Sequence, residues 1–342
     1  MDSLVLHQNK GRFGNGGRIK ECTIAPRNDQ EAKALKESFE KQLKGLVEEI
    51  NDRHSRFRYN NSDGPCALPN RNSIITMIND FRILLFPNYF GQQNLGNTSM
   101  EYYIGSVMLD IYENLYKQIV CALEHQSVKA RGTCGDIEEQ ATDICLEFSG
   151  RIPAVMEILE TDVQAAYDGD PAAGDKDVII FSYPGLFALF VYRLAHELYL
   201  LNVPLIPRIM TEYAHSRTGI DINPGASIGK YFFMDHGTGI VIGETSVIGD
   251  YVTIYQGVTI GALSTRGGQQ LKGKKRHPTI EDNVVIYSGA SILGGETIIG
   301  KDVVIGSNVF ITKSIPPGTR VSLKNQELLY QDRSVREFNS DF

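Results

Sequence analysis

The stretch INPGASIGKYFFMDHGTGIVIGETSVIGDYVTIYQGV, residues 222–258, carries a six-residue period. Steps of six from Ile222 meet Ile228, Met234, Ile240, Ser246, Val252 and Val258, apolar at every stop except Ser246. A second run meets Ile280, Ile286, Ile292, Ile298, Val304 and Phe310, all apolar. Val258 and Ile280 are 22 residues apart, which is not a multiple of six, so an insertion interrupts the repeat. Its expected place is the Gly/Lys-rich loop 263–276, LSTRGGQQLKGKKR. A period of six matches neither an α-helix nor a simple alternating strand. It fits a parallel β-helix, in which short strands turn every six residues and inward Ile and Val stack from coil to coil. Gly225, Gly229, Gly243, Gly249, Gly300 and Gly306 recur near the expected corners. An ordinary sheet with glycine turns is the alternative, but two separate six-residue runs argue against it.

Upstream of Pro207 the period is helical. Leu35, Phe39, Leu43, Leu46, Val47 and Ile50 fall on one face at spacings of three and four. Asn60 to Asn70 (NNSDGPCALPN) reads as a loop, and apolar segments follow at 73–86, 101–125, 137–148, 152–167 and 185–201. The expected organisation is a flexible lead (1–30), a helical domain (31–207), a β-helix domain (208–318) and a tail (319–342).

The chain has 342 residues, with Lys+Arg 34 against Asp+Glu 41 and a net charge of −7. That mild acidity gives no electrostatic reason to expect nucleic acid or an anionic membrane as partner. No apolar run approaches the roughly 18 residues of a membrane span, and the polar, Gly-containing start lacks the apolar centre of a secretory signal. Five cysteines, at 22, 66, 121, 134 and 145, are odd in number and show no CxxC spacing. Reduced thiols in a cytoplasmic compartment are the expectation.

Several motifs are more selective than the repeat. They are Asp168-Gly-Asp-Pro-Ala172, Gly219-Ile-Asp-Ile-Asn-Pro-Gly225, Met234-Asp-His-Gly-Thr-Gly-Ile-Val-Ile-Gly-Glu244, Gln256-Gly-Val-Thr-Ile-Gly261 and Arg276-His-Pro-Thr279. Together they resemble the serine O-acetyltransferases, hexapeptide-repeat acyltransferases, over about residues 162–318 with a weaker helical lead. The resemblance implies an α+β fold, an N-terminal helical domain followed by a left-handed parallel β-helix. It implies acetyl transfer from acetyl-CoA, the co-substrate, to the hydroxyl of L-serine. The products would be O-acetylserine and CoA, in the first step of cysteine biosynthesis.

A serine hydroxyl is a weak nucleophile, so its attack on a thioester needs a positioned base, and histidine is suited to that. The matching position is His236, which interrupts an apolar repeat between Asp235 and Gly237. Asp221 matches the family's orienting carboxylate and lies 15 residues earlier, a little under one 18-residue coil. Capping of the first turn is the simpler reading of Asp221. By resemblance, Asp170 and Asp235 hold the substrate ammonium and hydroxyl, and Arg276 and His277 its carboxylate. Arg offers a planar fork for that task. For Asp170 the plain alternative is a turn residue before Pro171. Gly261, Ala262 and Ser288 match backbone contacts to the pantetheine arm, with Ala262 in place of a usual glycine. Lys272 to Arg276 could reach CoA phosphates, or be a solvated loop. His196 reads as structural, and His215 as packing at the start of the first coil.

Within the fold, homoserine or a sugar is the rival acceptor, and the Asp170, Asp235 and Arg276 set favours an amino acid. A zinc-dependent β-helix enzyme would need three His ligands. Residues 222–310 hold only His236 and His277, so no metal is expected. A non-catalytic scaffold for the cysteine-forming synthase is a third reading. The family's site lies between subunits, which implies a homotrimer, with a hexamer from two trimers as the larger option. Relatives that dock the synthase typically end in isoleucine; this chain ends Asn339-Ser-Asp-Phe342, which argues against that cysteine synthase docking.

Overall fold

The computed structural model describes residues 29–56, 68–92, 99–130 and 136–324. The expected lead up to residue 28 and the tail beyond 324 lie outside the described residues. The chain divides into two units, Met1–Pro65 and Cys66–Phe342. In the first, α1 (Asp29–Arg56) carries the expected apolar face, with Phe39, Leu43, Leu46, Val47 and Ile50 all exposed.

The second unit begins with helices. They are α2 (Arg71–Leu85), α3 (Pro87–Phe90), α4 (Met100–Ala130), α5 (Ile137–Gly169), α6 (Lys176–Ser182), α7 (Pro184–Leu200) and α8 (Ile206–Thr218). The segments expected at 137–148 and 152–167 are one 33-residue helix that runs through Pro153. Asn70 starts α2 by accepting from the amides of Asn72 and Ser73, and Asp136 starts α5 by accepting from Glu139. The helical part extends past the expected 207 limit, because α8 continues to Thr218 and ends at the left-handed cap Gly219 (φ 71°). No single described helix is long and apolar enough to cross a membrane.

From Asp221 the chain winds into a three-sided parallel β-helix. The first face stacks Asp221–Ile222, Val241–Ile242, Thr259–Gly261, Ser291–Leu293 and Phe310–Ile311. The second stacks Ser227–Ile228, Val247–Ile248, Thr279–Ile280 and Ile298–Ile299. The third stacks Phe233–Asp235, Thr253–Tyr255, Val285–Ile286, Val304–Ile305 and Arg320–Val321. Ile222 pairs with Ile242 and Ile242 with Ile260, so like side chains lie above like. Each fully buried Ile or Val contributes roughly 1.5–3 kcal/mol.

The register refines the sequence reading. Met234 and Ile242 hold corresponding places on successive faces yet lie eight residues apart, so the turn around Asp235–Gly239 carries two extra residues. Ile260 and Ile280 lie 20 apart, which places the long insertion at the expected loop and gives it a short 3-10 turn, Gly268–Leu271. One more residue enters between Ile292 and Ile299. After the first of these shifts the step of six follows a second inward row, Ile240, Ser246, Val252 and Val258, all buried. After the last, the inward residues are Ile299, Ile305 and Ile311, while Ile298 and Phe310 face outward.

Helix α7 joins the two cores. Phe190, Leu194 and Leu198 pack into the helical core, while Ala188, Leu189 and Tyr192 pack on the β-helix interior. The first coil has an unpaired edge, and polar side chains from α7 cover it. Tyr192 donates to the Ala226 carbonyl at 2.6 Å, and Arg193 to those of Ile228 (2.5 Å) and Gly229 (2.7 Å). Arg193 also pairs with buried Asp162 of α5, whose Oδ1 accepts the Phe232 amide at 3.1 Å. His196 Nδ1 meets the Pro224 carbonyl at 2.7 Å, the structural role its sequence context suggests. Satisfying those carbonyls fixes α7, and with it the chain before its first turn, against the strand that ends in Asp235.

Candidate active site

The expected site residues lie on two edges of the prism. On the edge between the third and first faces, the two-residue enlargement makes the Asp-His-Gly-Thr-Gly turn. His236 adopts a left-handed backbone (φ 55°), as do Gly237 (φ 85°) and Gly239 (φ 82°). A Cβ on Gly237 would also lie 2.5 Å from Ile220 Cδ1, so the Ile220 side chain would have to shift. The turn pushes the imidazole outward, and 75% of the His236 side chain is exposed. Its Nε2 is 3.9 Å from Asp235 Oδ1.

Asp170 caps the C-terminus of α5 and reaches the same edge, where His236 acts on its charge. Two glycines allow that approach. A Cβ on Gly169 would lie 2.7 Å from the Phe233 ring, and one on Gly185 would lie 2.8 Å from the Met234 carbonyl. The Asp170 carboxylate accepts from the Tyr183 hydroxyl (Oδ2, 2.5 Å) and from the Ala172 amide (Oδ1, 2.8 Å). Those two donors, the tyrosine first, hold it below the usual carboxylate range. Tyr183 is in turn pushed up to about 12. Sequence reasoning missed Tyr183, which no motif marks.

Asp221 starts the first strand, and its neighbour Ile220 touches the turn at Gly237. The two expected dyad members are therefore close along the backbone. Their side chains are not hydrogen-bonded: Asp221 Oδ1 lies 3.5 Å from Arg208 Nη1. Arg208 also pairs with Glu212, which meets His215 Nδ1 at 3.4 Å. Glu212, His215 and Asp221 offer ligand atoms within 4.8 Å of one another, but Arg208 already bonds both carboxylates. Ser288 belongs to the same edge as His236. Amide-to-carbonyl bonds stack the turns there, from Gly257 to Thr238, Gly289 to Gln256, and Asn308 to Ser288. Asp235, Tyr255 and the stacked Tyr287 (5.0 Å between rings) line the adjoining face.

The edge between the first and second faces holds the basic pair. His277 is 7% exposed and lies on Gly243, where any Cβ would overlap the ring. Its Nδ1 accepts the Thr245 amide at 3.0 Å, so the ring proton of the neutral form sits on Nε2. Burial, and after it the Arg276 charge, push His277 down to about 4. Thr245 Oγ1 accepts the amides of Arg276 (2.9 Å) and His277 (3.0 Å), and pins both. The Arg276 guanidinium pairs with Glu244. Gly261 ends the first-face strand on this edge, and Ala262 follows it beside Leu263, Arg276 and Gly294 in a cavity of about 290 Å³. The structure thus brings Asp170, Asp235 and His236 together on one edge, and Arg276, His277, Gly261 and Ala262 on another.

No family model matches the chain. A plasmid-borne serine acetyltransferase of Synechococcus elongatus is 45% identical over 76% of this chain and 83% of its own length. A serine acetyltransferase of Synechocystis is 48% identical over 37% of this chain, a match spanning about half of that relative (49%). Serine acetyltransferase 1 of Entamoeba histolytica, solved with L-cysteine, aligns with a TM-score of 0.64 and 37% identity over 72% of this chain and 86% of its own. The shared architecture is a helical region followed by a left-handed β-helix of about five turns. The chain belongs to the serine acetyltransferase family.

Proposed function

We propose that the chain transfers the acetyl group of acetyl-CoA to the hydroxyl of L-serine at a site shared by two subunits of a trimer. The observation that carries this is the separation of the two half-sites. Asp170, Asp235 and His236 occupy one edge, and Arg276 and His277 another, so a neighbouring copy could complete each site. Val241, Val247, Ile298 and Phe310 are exposed on the first and second faces, where a neighbour would cover them.

In the proposed reaction His236 takes the serine hydroxyl proton as the oxygen bonds to the thioester carbonyl carbon. The tetrahedral intermediate collapses by breaking the carbon–sulfur bond. The departing thiolate takes the proton from the imidazolium, which restores neutral His236. Asp221 is the carboxylate proposed to orient the imidazole, once it turns from Arg208, while Asp235, 3.9 Å from the imidazole, is left for the substrate. His277, with its proton on Nε2, is a donor for the substrate carboxylate, beside Arg276. Acetyl-CoA would lie between Ser288 of one subunit and Gly261 and Ala262 of the next. Cysteine presents the same ammonium and carboxylate and should compete with serine. The tail on which synthase docking would depend lies outside the described residues.

CoA release measured with acetyl-CoA and a panel of hydroxyl amino acids tests the reading. Serine should be preferred, and His236→Ala should lower kcat by at least ~10²-fold. His236→Ala and His277→Ala, each inactive alone, should regain activity when co-refolded, because one interface of a mixed trimer pairs two intact residues. Near-normal turnover in folded His236→Ala, or no recovery in the mixture, would sink it.

A further inference from the structure

We infer that Tyr183 is a positioning residue for serine, fixing the Asp170 carboxylate as an acceptor for the substrate ammonium. This rests on the substrate role proposed above for Asp170.

Tyr183 stands in the N-cap position of α7, where Ser, Thr, Asp or Asn would satisfy the open amides of the first turn. It makes no capping hydrogen bond, and Pro184 follows it. Its hydroxyl instead crosses to α5 and lies 2.5 Å from Asp170 Oδ2. A phenol has a single O–H, so with that proton on Asp170 its lone pairs remain only as acceptors. The Ala172 amide holds the other carboxylate oxygen. Both oxygens are thereby fixed, and each keeps a lone pair for an incoming N–H. An ammonium has three donors and no acceptor, and Asp170, Asp235 and the Tyr183 oxygen are acceptors gathered on one edge.

The placement is built by packing. Gly169, the residue before Asp170, makes room for Phe233, and Gly185, two residues after Tyr183, makes room for the Met234 backbone. Both ends of the hydrogen bond are thus set against the strand that ends in Asp235. The other charged or titratable groups facing this pair are His236, Asp235 and Tyr255, while Asp168 of α5 is held by Gln164.

Tyr183→Phe in the full-length protein removes one oxygen and keeps the ring. The KM for serine should rise about tenfold, the order expected for losing a hydrogen bond to a charged group. The KM for acetyl-CoA, the kcat at saturating serine and the melting temperature should stay close to the parent. The acidic limb of kcat/KM for serine should move to higher pH, because Asp170 loses the donor that most lowers its pKa. Discrimination against glycerate, which lacks the ammonium, should weaken. In a double-mutant cycle with Asp170→Asn, the two losses should be less than additive. An unchanged serine KM and acidic limb would overturn the inference. So would an equal rise in both KM values with a lowered melting temperature, or full additivity in the cycle. Failure of the parent to acetylate serine at all would instead defeat the underlying assignment.

Discussion

Acid should loosen the β-helix through one buried imidazole. His277 is 7% exposed, accepts the Thr245 amide at Nδ1, and has Arg276 and Lys275 as cationic neighbours. A proton on Nδ1 would meet a donor instead of an acceptor. Its pKa accordingly falls from 6.5 in the free side chain to about 4 in the fold. Between those values the unfolded chain binds a proton that the folded chain does not, so stability rises with pH. The contribution is complete above 6.5 and is lost progressively as pH falls towards about 4. At 1.36 kcal/mol per pH unit the loss is at most about 3 kcal/mol, and partial solvent access reduces it.

Asp162 opposes this. Burial, against the pull of Arg193, raises it from 3.8 to about 6, so the folded chain binds the extra proton there and stability falls with rising pH. The two overlap between about 4 and 6, and the parent's pH dependence alone cannot separate them. The comparison is therefore between the parent and His277→Gln, whose amide oxygen can still accept from Thr245. Urea midpoints at one fixed protein concentration, measured from pH 7 to pH 4, should show the parent losing more stability than the variant. Parallel curves for the two proteins would refute the reasoning.

Gly243→Ala should displace the His277 ring, because the added methyl would occupy its place, and should lower kcat/KM for serine at least tenfold while the circular dichroism spectrum stays the same. Retained activity would remove His277 from the site. Asp162→Ala leaves the Arg193 charge buried with only the Ile228 and Gly229 carbonyls, and should destabilise the protein by about 3–5 kcal/mol. A urea midpoint within error of the parent would show that this pair does not hold α7 on the first coil.

What was legible in the sequence follows from what a period can encode. The solenoid was legible because inward positions must be apolar coil after coil, and the loop at 263–276 broke that rule openly. The smaller insertions were hidden because the residues on both sides of each shift are apolar. Ile240 and Ile242 are both buried, so a step of six passes from one inward row to the other, and Ser246 is the one polar stop that marks the change. At the far end, outward Ile298 and Phe310 masquerade as core, since those faces keep apolar side chains outside as well. The candidate site residues marked by local motifs, Asp170, Asp235 and His236, could be singled out one at a time, and the structure places them on one edge. Tyr183 could not, since its partner is set by how closely two glycines let α5 and α7 approach a strand.

A three-sided coil also turns sequence spacing into a choice of edge. His236 and Ser288 are far apart in sequence but share an edge, whereas Arg276 and His277, nearer in sequence to Ser288, lie on another. Such an edge presents its side chains outward, and the proposed base His236 is 75% exposed on it. Each proposed half-site is therefore open, and outward Val241 and Val247 flank the basic one. The neighbouring copy that the proposed shared site requires would pack on faces built by the same six-residue repeat as the core.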